Sequence, residues 1–299
     1  MSSSNTTLNL KLNNKMRYLV STCITLLIAT SSLFAQGSLL DEINSTSETS
    51  TYHMPAFKAL RLLNLQTTKL ASEKELVFYV SHRFGSIADG ISTLYGLDYA
   101  NTNFQFVYGL SDGLNVSFSR ESLRQTYALA AKMSILKQDV DAPFNLALYT
   151  TANINSQLSV EQFPGLLPAD RLSYATQAIF SKRYNDKFSL LVSPSFVRQN
   201  LVWEMEQEHN QYSLGLGGRY MLNRRVALCI DYAMHMNRFE DSQFEDPFAV
   251  GVNIETGGHV FQLMISNSQS SNEPGFLSNA EGEWKTRNVF LGFNISRSY

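Results

Sequence analysis

His82, His259, Ser122, Cys23 and Cys229 are the side chains in this sequence that invite a reading as ligands or nucleophiles. If they lie on strands whose side chains alternate between two faces, His82 shares the outward face with Leu76, Phe78 and Val80, and His259 shares it with Phe261, Leu263 and Ile265. Strand direction sends the two rings to opposite rims, so they do not ligate one metal, and interfacial histidines are the favoured reading. His82 and an outward Ser122 would suit a lipid-active hydrolase only with a third, orienting residue beside them, and no residue is placed to serve. Cys23 falls in an apolar N-terminal stretch, which leaves Cys229 alone, so neither a disulfide framework nor a cysteine-based metal site can be built. The run Gly215-Leu216-Gly217-Gly218 sits inside a strand and makes no phosphate loop. The residues therefore name no catalytic group, no metal and no cofactor.

A different set says more. Arg83, Gln105, Asn115, Lys132, Asn145, Arg219, Asp231, Asn253, Glu255 and Gln262 all fall on the face opposite a run of apolar side chains. A charge facing hydrocarbon at mid-depth costs ~2–4 kcal/mol. These residues are therefore assigned to the inner wall of a closed barrel. The wall lines either a wet pore or a hydrogen-bonded interior network. Both signs of charge occur in it, which argues against strong ion selectivity.

The elements that must hold such a wall are strands. From about residue 75 the pattern has period two. Around Ser111-Asp112-Gly113, Phe104, Phe106, Tyr108 and Leu110 alternate with Asn103, Gln105, Val107 and Gly109, and beyond the turn Leu114, Val116 and Phe118 alternate with Asn115, Ser117 and Ser119. This is a hairpin with one oily face and one wet face. Strands are expected near 75–84, 102–110, 114–121, 126–137, 144–154, 172–183, 188–198, 210–222, 226–236, 248–256, 259–267 and 286–297. Their connections alternate between short turns and long loops near 85–101, 155–171, 199–209, 237–247 and 268–285, with a short exception at 122–125. An even strand number with turns on one side and loops on the other describes an all-β, antiparallel, up-and-down transmembrane β-barrel of about twelve strands.

A soluble sandwich or lipocalin-like barrel would also alternate. Its exterior, however, would carry Lys and Glu rather than the Ser, Asn, Gln, Gly and Ala found here, and many of these segments are long enough to cross a bilayer at a tilt. Tyr108, Phe144, Phe188, Tyr220 and Phe248 near the turns suit an interfacial girdle. The last segment places Val289, Leu291, Phe293, Ile295 and Tyr299 on one parity, like the terminal strand by which such barrels meet their assembly machinery.

The N-terminal region reads in three parts. Residues 1–35 carry Lys11, Lys15 and Arg17, an apolar core from Tyr18 to Ala29 and a small-residue exit at Ala35, as a signal peptide does. Residues 36–54 are a polar, acidic linker, and residues 55–74 mix Lys58 and Arg61 with Leu60, Leu62, Leu63 and Leu65. That mixture suits a periplasmic tether or a plug in the lumen, where the two cations would pair with inward acids such as Asp231 and Glu255 and the leucines would fill space beside Ala147, Gly215 and Gly251. Residues 75–299 form the barrel. Without the leader's three cations the formal net charge of −2 becomes −5, which offers nucleic acid no footprint.

Five strings, Phe57-Lys58-Ala59-Leu60-Arg61, Ser81-His82-Arg83-Phe84-Gly85, Tyr108-Gly109-Leu110-Ser111-Asp112, Gly217-Gly218-Arg219-Tyr220 and Gly257-Gly258-His259-Val260-Phe261-Gln262-Leu263, together resemble an uncharacterised "domain of unknown function" family of outer-membrane β-barrels found in Bacteroidota. The resemblance covers about residues 55–299. It implies the fold and a gram-negative outer membrane, and it lends no catalytic residue. Three roles follow as expectations. The first is a small, plugged channel or solute-binding barrel, and the second a non-conducting platform that binds a protein or polysaccharide through the loops near 155–171 and 268–285. The third and most remote is the lipid-active hydrolase. Outer-membrane lipid, the assembly machinery and a small solute or a surface or periplasmic partner are the expected contacts.

Overall fold

The computed structural model describes residues 55–299; the expected signal peptide and the linker lie outside the described residues. Twelve strands run β1 (Leu76–Ser86), β2 (Ala100–Ser111), β3 (Leu114–Glu121), β4 (Thr126–Leu136), β5 (Asn145–Asn155), β6 (Leu172–Arg183), β7 (Phe188–Gln199), β8 (Asn210–Met221), β9 (Val226–His235), β10 (Phe248–Thr256), β11 (His259–Ser266) and β12 (Phe290–Ser298). Each pairs antiparallel with its sequence neighbours, and β1 pairs with β12 from Val77↔Ser298 to Ser86↔Phe290, which closes the barrel. Closure leaves no unpaired edge, the condition for a sheet to sit in hydrocarbon.

Short turns, the start of β1 and the end of β12 share one rim; the long loops share the other. By the usual arrangement of such barrels the short-turn rim faces the periplasm. The brief β3–β4 connection is made by Arg124 (φ 55) and Gln125 (φ 46) in left-handed backbone. β12 begins at Phe290 rather than near 286, because residues before it turn back through the bridge Glu283↔Asn288.

Alternation sorts the side chains. On β2, Phe104, Phe106, Tyr108 and Leu110 are exposed on the outer surface, while Asn101, Asn103, Gln105 and Val107 are buried inside. Phe78 of β1 stacks beside Phe104 and Phe106, so one aromatic patch spans the two strands. Phe188 and Tyr220 pair in register near the short-turn rim, whereas Phe248 lies at the opposite rim against Trp284.

About eight strands make a barrel that wall side chains alone can fill. Twelve leave a wider bore, and two chain segments occupy it. Residues 55–71 enter from the short-turn rim as a finger that folds back on itself, with Arg61 bridged to Gln66 and hydrogen bonds from Leu62 N to Leu65 O (2.8 Å) and Thr67 N to Leu60 O (3.0 Å). From the opposite rim the β11–β12 connection turns inward and carries a short helix, α1 (Glu273–Ser278), every residue of which is buried. The loop near 268–285, expected on the surface as a partner-binding element, is thus largely interior. It is drawn in because Phe276 and Leu277 join a lumenal cluster with the finger's Phe57, Leu62, Leu63 and Leu65 and with small wall residues such as Ala175, Ala233 and Ala249.

Candidate functional site

The lumen is the site, and its wall meets the finger in two ways. Along β8 and β10 the wall is cut back to glycine where the finger's leucines press. A Cβ on Gly217 would stand 2.5 Å from Leu62 Cδ2, one on Gly251 2.9 Å from Leu63 Cδ2, and one on Gly215 3.0 Å from Leu65 Cδ2. A side chain at any of the three would have to displace a leucine tip, and at Gly251 it would also meet Leu263 O at 2.3 Å, so the three glycines are where the finger's leucines seat.

Polar wall residues, among them Asp231 beside Gly217 in the β8–β9 register, grip the finger's backbone. At the tip, the N–H groups of Leu63, Asn64 and Leu65 all donate to one carboxylate oxygen of Asp231, at 3.2, 2.7 and 3.1 Å. Three converging donors satisfy a carboxylate that β9 buries in the barrel, and the carboxylate in turn satisfies donors that the tight turn could not pair internally. Lys132 does the converse. Its ammonium donates to the carbonyls of Leu60, Thr67 and Lys69 at 3.2, 3.1 and 3.3 Å. Gln262 donates to the carbonyls of Arg61 and Leu62 (3.0 and 2.7 Å), and Asn294 to that of Leu63 (3.0 Å). Arg83, 1 % exposed, reaches Asn64 Oδ1 and Asn294 Oδ1, both at 3.0 Å.

Glu273 of α1 joins the finger to the infolded loop. Its carboxylate accepts from Arg61 (2.8 Å), Gln66 Nε2 (2.8 Å) and the Tyr149 hydroxyl of β5 (3.0 Å), with the Arg61 and Glu273 side chains 5 % and 3 % exposed. The two cations were expected to pair with inward acids such as Asp231 and Glu255; the structure pairs Lys58 with Glu255 and Arg61 with Glu273, while Asp231 accepts from the finger's N–H groups. The loop has its own anchor on the wall. Glu121 at the end of β3 accepts from Ser271 N (2.7 Å), Ser270 Oγ (3.1 Å) and the Asn272 amide, while Asn101 donates to it at 2.8 Å.

At the short-turn rim Lys58 lies 3.0 Å from Glu255, which Arg219 also approaches at 3.5 Å. Asn115 exchanges hydrogen bonds with the backbone of Ala71 at 3.2 and 2.8 Å. Glu75, just ahead of β1, accepts from Ser72 N at 2.7 Å. Partial burial works to raise its pKa, but hydrogen bonds from Ser298 and Ser72 and the charge of Lys69 outweigh that and hold it below the ordinary carboxylate value. Gln105 donates to Ser117 (3.2 Å) and Asn145 accepts from Gln138 N (3.0 Å), both on the wall rather than on the finger. Asn253 is buried opposite Gln262 in the β10–β11 register.

His82 and His259 lie toward opposite rims. The His82 ring stacks on Phe293 and meets Thr102 Oγ1 through Nδ1 at 3.0 Å; Ser122 Oγ donates to Asn101 Oδ1 at 2.8 Å. Among the described residues no hydrogen bond joins His82 to Ser122. His259 packs on Phe261 beside Arg297.

Residues 57–299 match a family described as a membrane bound beta barrel domain (DUF5777). Solved structures similar to the chain include NanC porin at 10 % identity (75 % of this chain, 98 % of that one, TM-score 0.46) and KdgM porin at 7 % (75 % and 99 %, TM-score 0.47). Another is the Acinetobacter baumannii outer membrane protein Omp33 at 11 % (76 % and 99 %, TM-score 0.42). No curated protein matches the sequence.

Proposed function

We propose a role for this protein from a plain premise: the chain belongs to the membrane-bound beta barrel family and sits in the gram-negative outer membrane. On our reading it is a gated channel for small solutes, closed at rest by the finger of residues 55–71 from one rim and the infolded loop from the other. One observation carries this reading. The bore is filled by a chain segment that enters through one rim, and the wall holds that segment's backbone by polar contacts that water can replace. Withdrawal of the finger would uncover a wall of Arg83, Lys132, Asp231, Gln262 and their neighbours, a lining of mixed charge suited to small polar solutes.

The competing platform reading has one observation in its favour. The loop between β1 and β2 presents Ile91, Leu94, Tyr95, Leu97 and Tyr99 at the outer rim, all exposed, with Ile91 at 76 %. Deleting residues 55–71 separates the two readings. A gated channel should stay assembled, as judged by heat-dependent gel mobility, and show a several-fold rise in conductance across a planar bilayer. An assembled deletion variant with unchanged conductance would leave the platform as the better account. We assign recognition by the assembly machinery to β12, whose outward Phe293 and Ile295 lead to the terminal Tyr299.

A further inference from the structure

A cavity of about 530 Å³ opens at the short-turn rim between the base of the finger and the barrel wall. That volume falls in the range of small-molecule sites, ~300–1,000 Å³. Its inner surface is largely apolar, with Leu60 and Leu70 from the finger facing Val77 of β1 and Val260 of β11. Its edge is basic. Lys69 stands on the finger side, and Arg224 and Arg225 stand on the β8–β9 turn across the opening. Three further charges line it, Lys58 paired with Glu255 and Glu75 held by the Ser72 backbone with the charge of Lys69 nearby. Lys69, Arg224 and Arg225 form no ion pair with any described residue. The cavity therefore offers an apolar pocket whose lining sets four cations, Lys58, Lys69, Arg224 and Arg225, against two carboxylates, Glu75 and Glu255.

We infer that this vestibule binds a small amphipathic anion: a molecule with one carboxylate, sulfonate or phosphate group at the mouth and an apolar body against Leu60, Leu70, Val77 and Val260. Two features of the lining select this class. A neutral apolar body would leave the lining's excess of positive charge without a partner, and a compact inorganic anion would leave the apolar depth unfilled. The ligand arrives from the aqueous side, because the cavity is bounded by the inner face of the wall and by the finger, not by lipid. The inference stands whether or not the barrel conducts.

The test uses the full processed chain in phosphatidylcholine nanodiscs and naphthylacetate as probe, with neutral naphthylacetamide as control, followed by equilibrium dialysis. The acid should bind at least about tenfold more tightly than the amide, the discrimination expected of charge-assisted hydrogen bonds at a partly screened mouth. Replacing the turn pair together, R224Q with R225Q, should erase most of that preference. Those side chains are exposed, and the turn itself is closed by Asn223 Oδ1 accepting from Arg225 N and Val226 N, so the barrel should assemble unchanged. Val260→Trp should fill the pocket and abolish binding of both probes. Equal affinity for acid and amide, or an acid affinity that the arginine pair does not alter, would overturn the assignment. Should Val260→Trp fail to assemble, the arginine pair still decides.

Discussion

If the finger and the infolded loop close the barrel together, the strongest single lever is the charge that joins them. Glu273 accepts three hydrogen bonds, two of them from the finger, and its partner Arg61 is 5 % exposed with only the Asn64 carbonyl (3.0 Å) as another acceptor. Glu273→Gln keeps the volume but leaves the guanidinium buried without a counter-charge. Removing one partner of a buried pair costs about 3–5 kcal/mol. In the open state the finger is hydrated and Arg61 loses nothing, so the whole cost falls on the closed state. The open-to-closed ratio should then rise by about a hundredfold or more. Arg61→Gln combined with Glu273→Gln removes both charges and should return the ratio most of the way to wild type. Single-channel recording in planar bilayers reads the open probability of all three proteins. Were assembled Glu273→Gln barrels no more open than wild type, or the double variant as open as the single, the joint closure would be wrong.

Cys229 supplies a readout that needs no conductance. It is the only cysteine among the described residues, 2 % exposed and packed in the lumenal cluster with the finger's leucines. Asp231→Asn should weaken the three N–H bonds at the finger's tip and speed modification of Cys229 by a thiol reagent by roughly tenfold or more. Glu121→Gln, which loosens only the outer loop's anchor, should leave Cys229 protected; equal labelling in the two variants would refute the separation of the closures. On the outer surface, Phe106→Arg in the middle of β2 should cost about 2–4 kcal/mol and impair assembly, and Leu291→Arg near the rim end of β12 should cost less, whereas Gln105→Glu, facing the lumen, should assemble. Heat-dependent gel mobility checks all three, and a Gln105→Glu barrel as defective as Phe106→Arg would reverse the assignment of that strand.

The barrel was legible because its information is local and repeated. Period-two alternation in a dozen segments fixes which side chains face lipid, and the turn and loop lengths fix the rims. Phe106 outside and Gln105 inside follow from neighbouring residues alone. The filling of the bore was legible only in part, because it depends on contacts between residues some 63 to 231 positions apart in sequence. A mixture of cations and leucines marks residues 55–74 as neither linker nor strand, and Gly215, Gly217 and Gly251 mark places where the wall has no side chain. Neither pattern says that Leu62 meets Gly217, because that requires the finger's depth and rotation. Glu273 carried no signal at all. It sits in a loop without periodicity, among Ser, Asn and Pro residues that read as solvent-exposed, and only the burial of Phe276 and Leu277 turns it inward. Glu121 and Asn294 were open to the parity argument, since each falls on the buried face of its strand.

The two closures differ in how they are tethered, and that difference bears on which one moves. The infolded loop is covalently fixed at both ends, to β11 and β12, and is stitched to the wall by Glu121, so removing it from the bore means unfolding a connection in place. The finger runs into β1 at one end, where Lys74 N donates to Gly109 O at 2.8 Å, and its other end reaches the short-turn rim at Pro55. The wall holds it chiefly through its backbone: three N–H groups on Asp231, three carbonyls on Lys132, and carbonyls on Gln262 and Asn294. If the finger withdrew, Lys132 and Asp231, whose hydrogen-bond partners all lie on it, would exchange those partners for the water entering the bore, while Glu273 would keep Tyr149. On the gated-channel reading the polar wall would then act as a release face, and the three glycines would set the depth to which the finger returns.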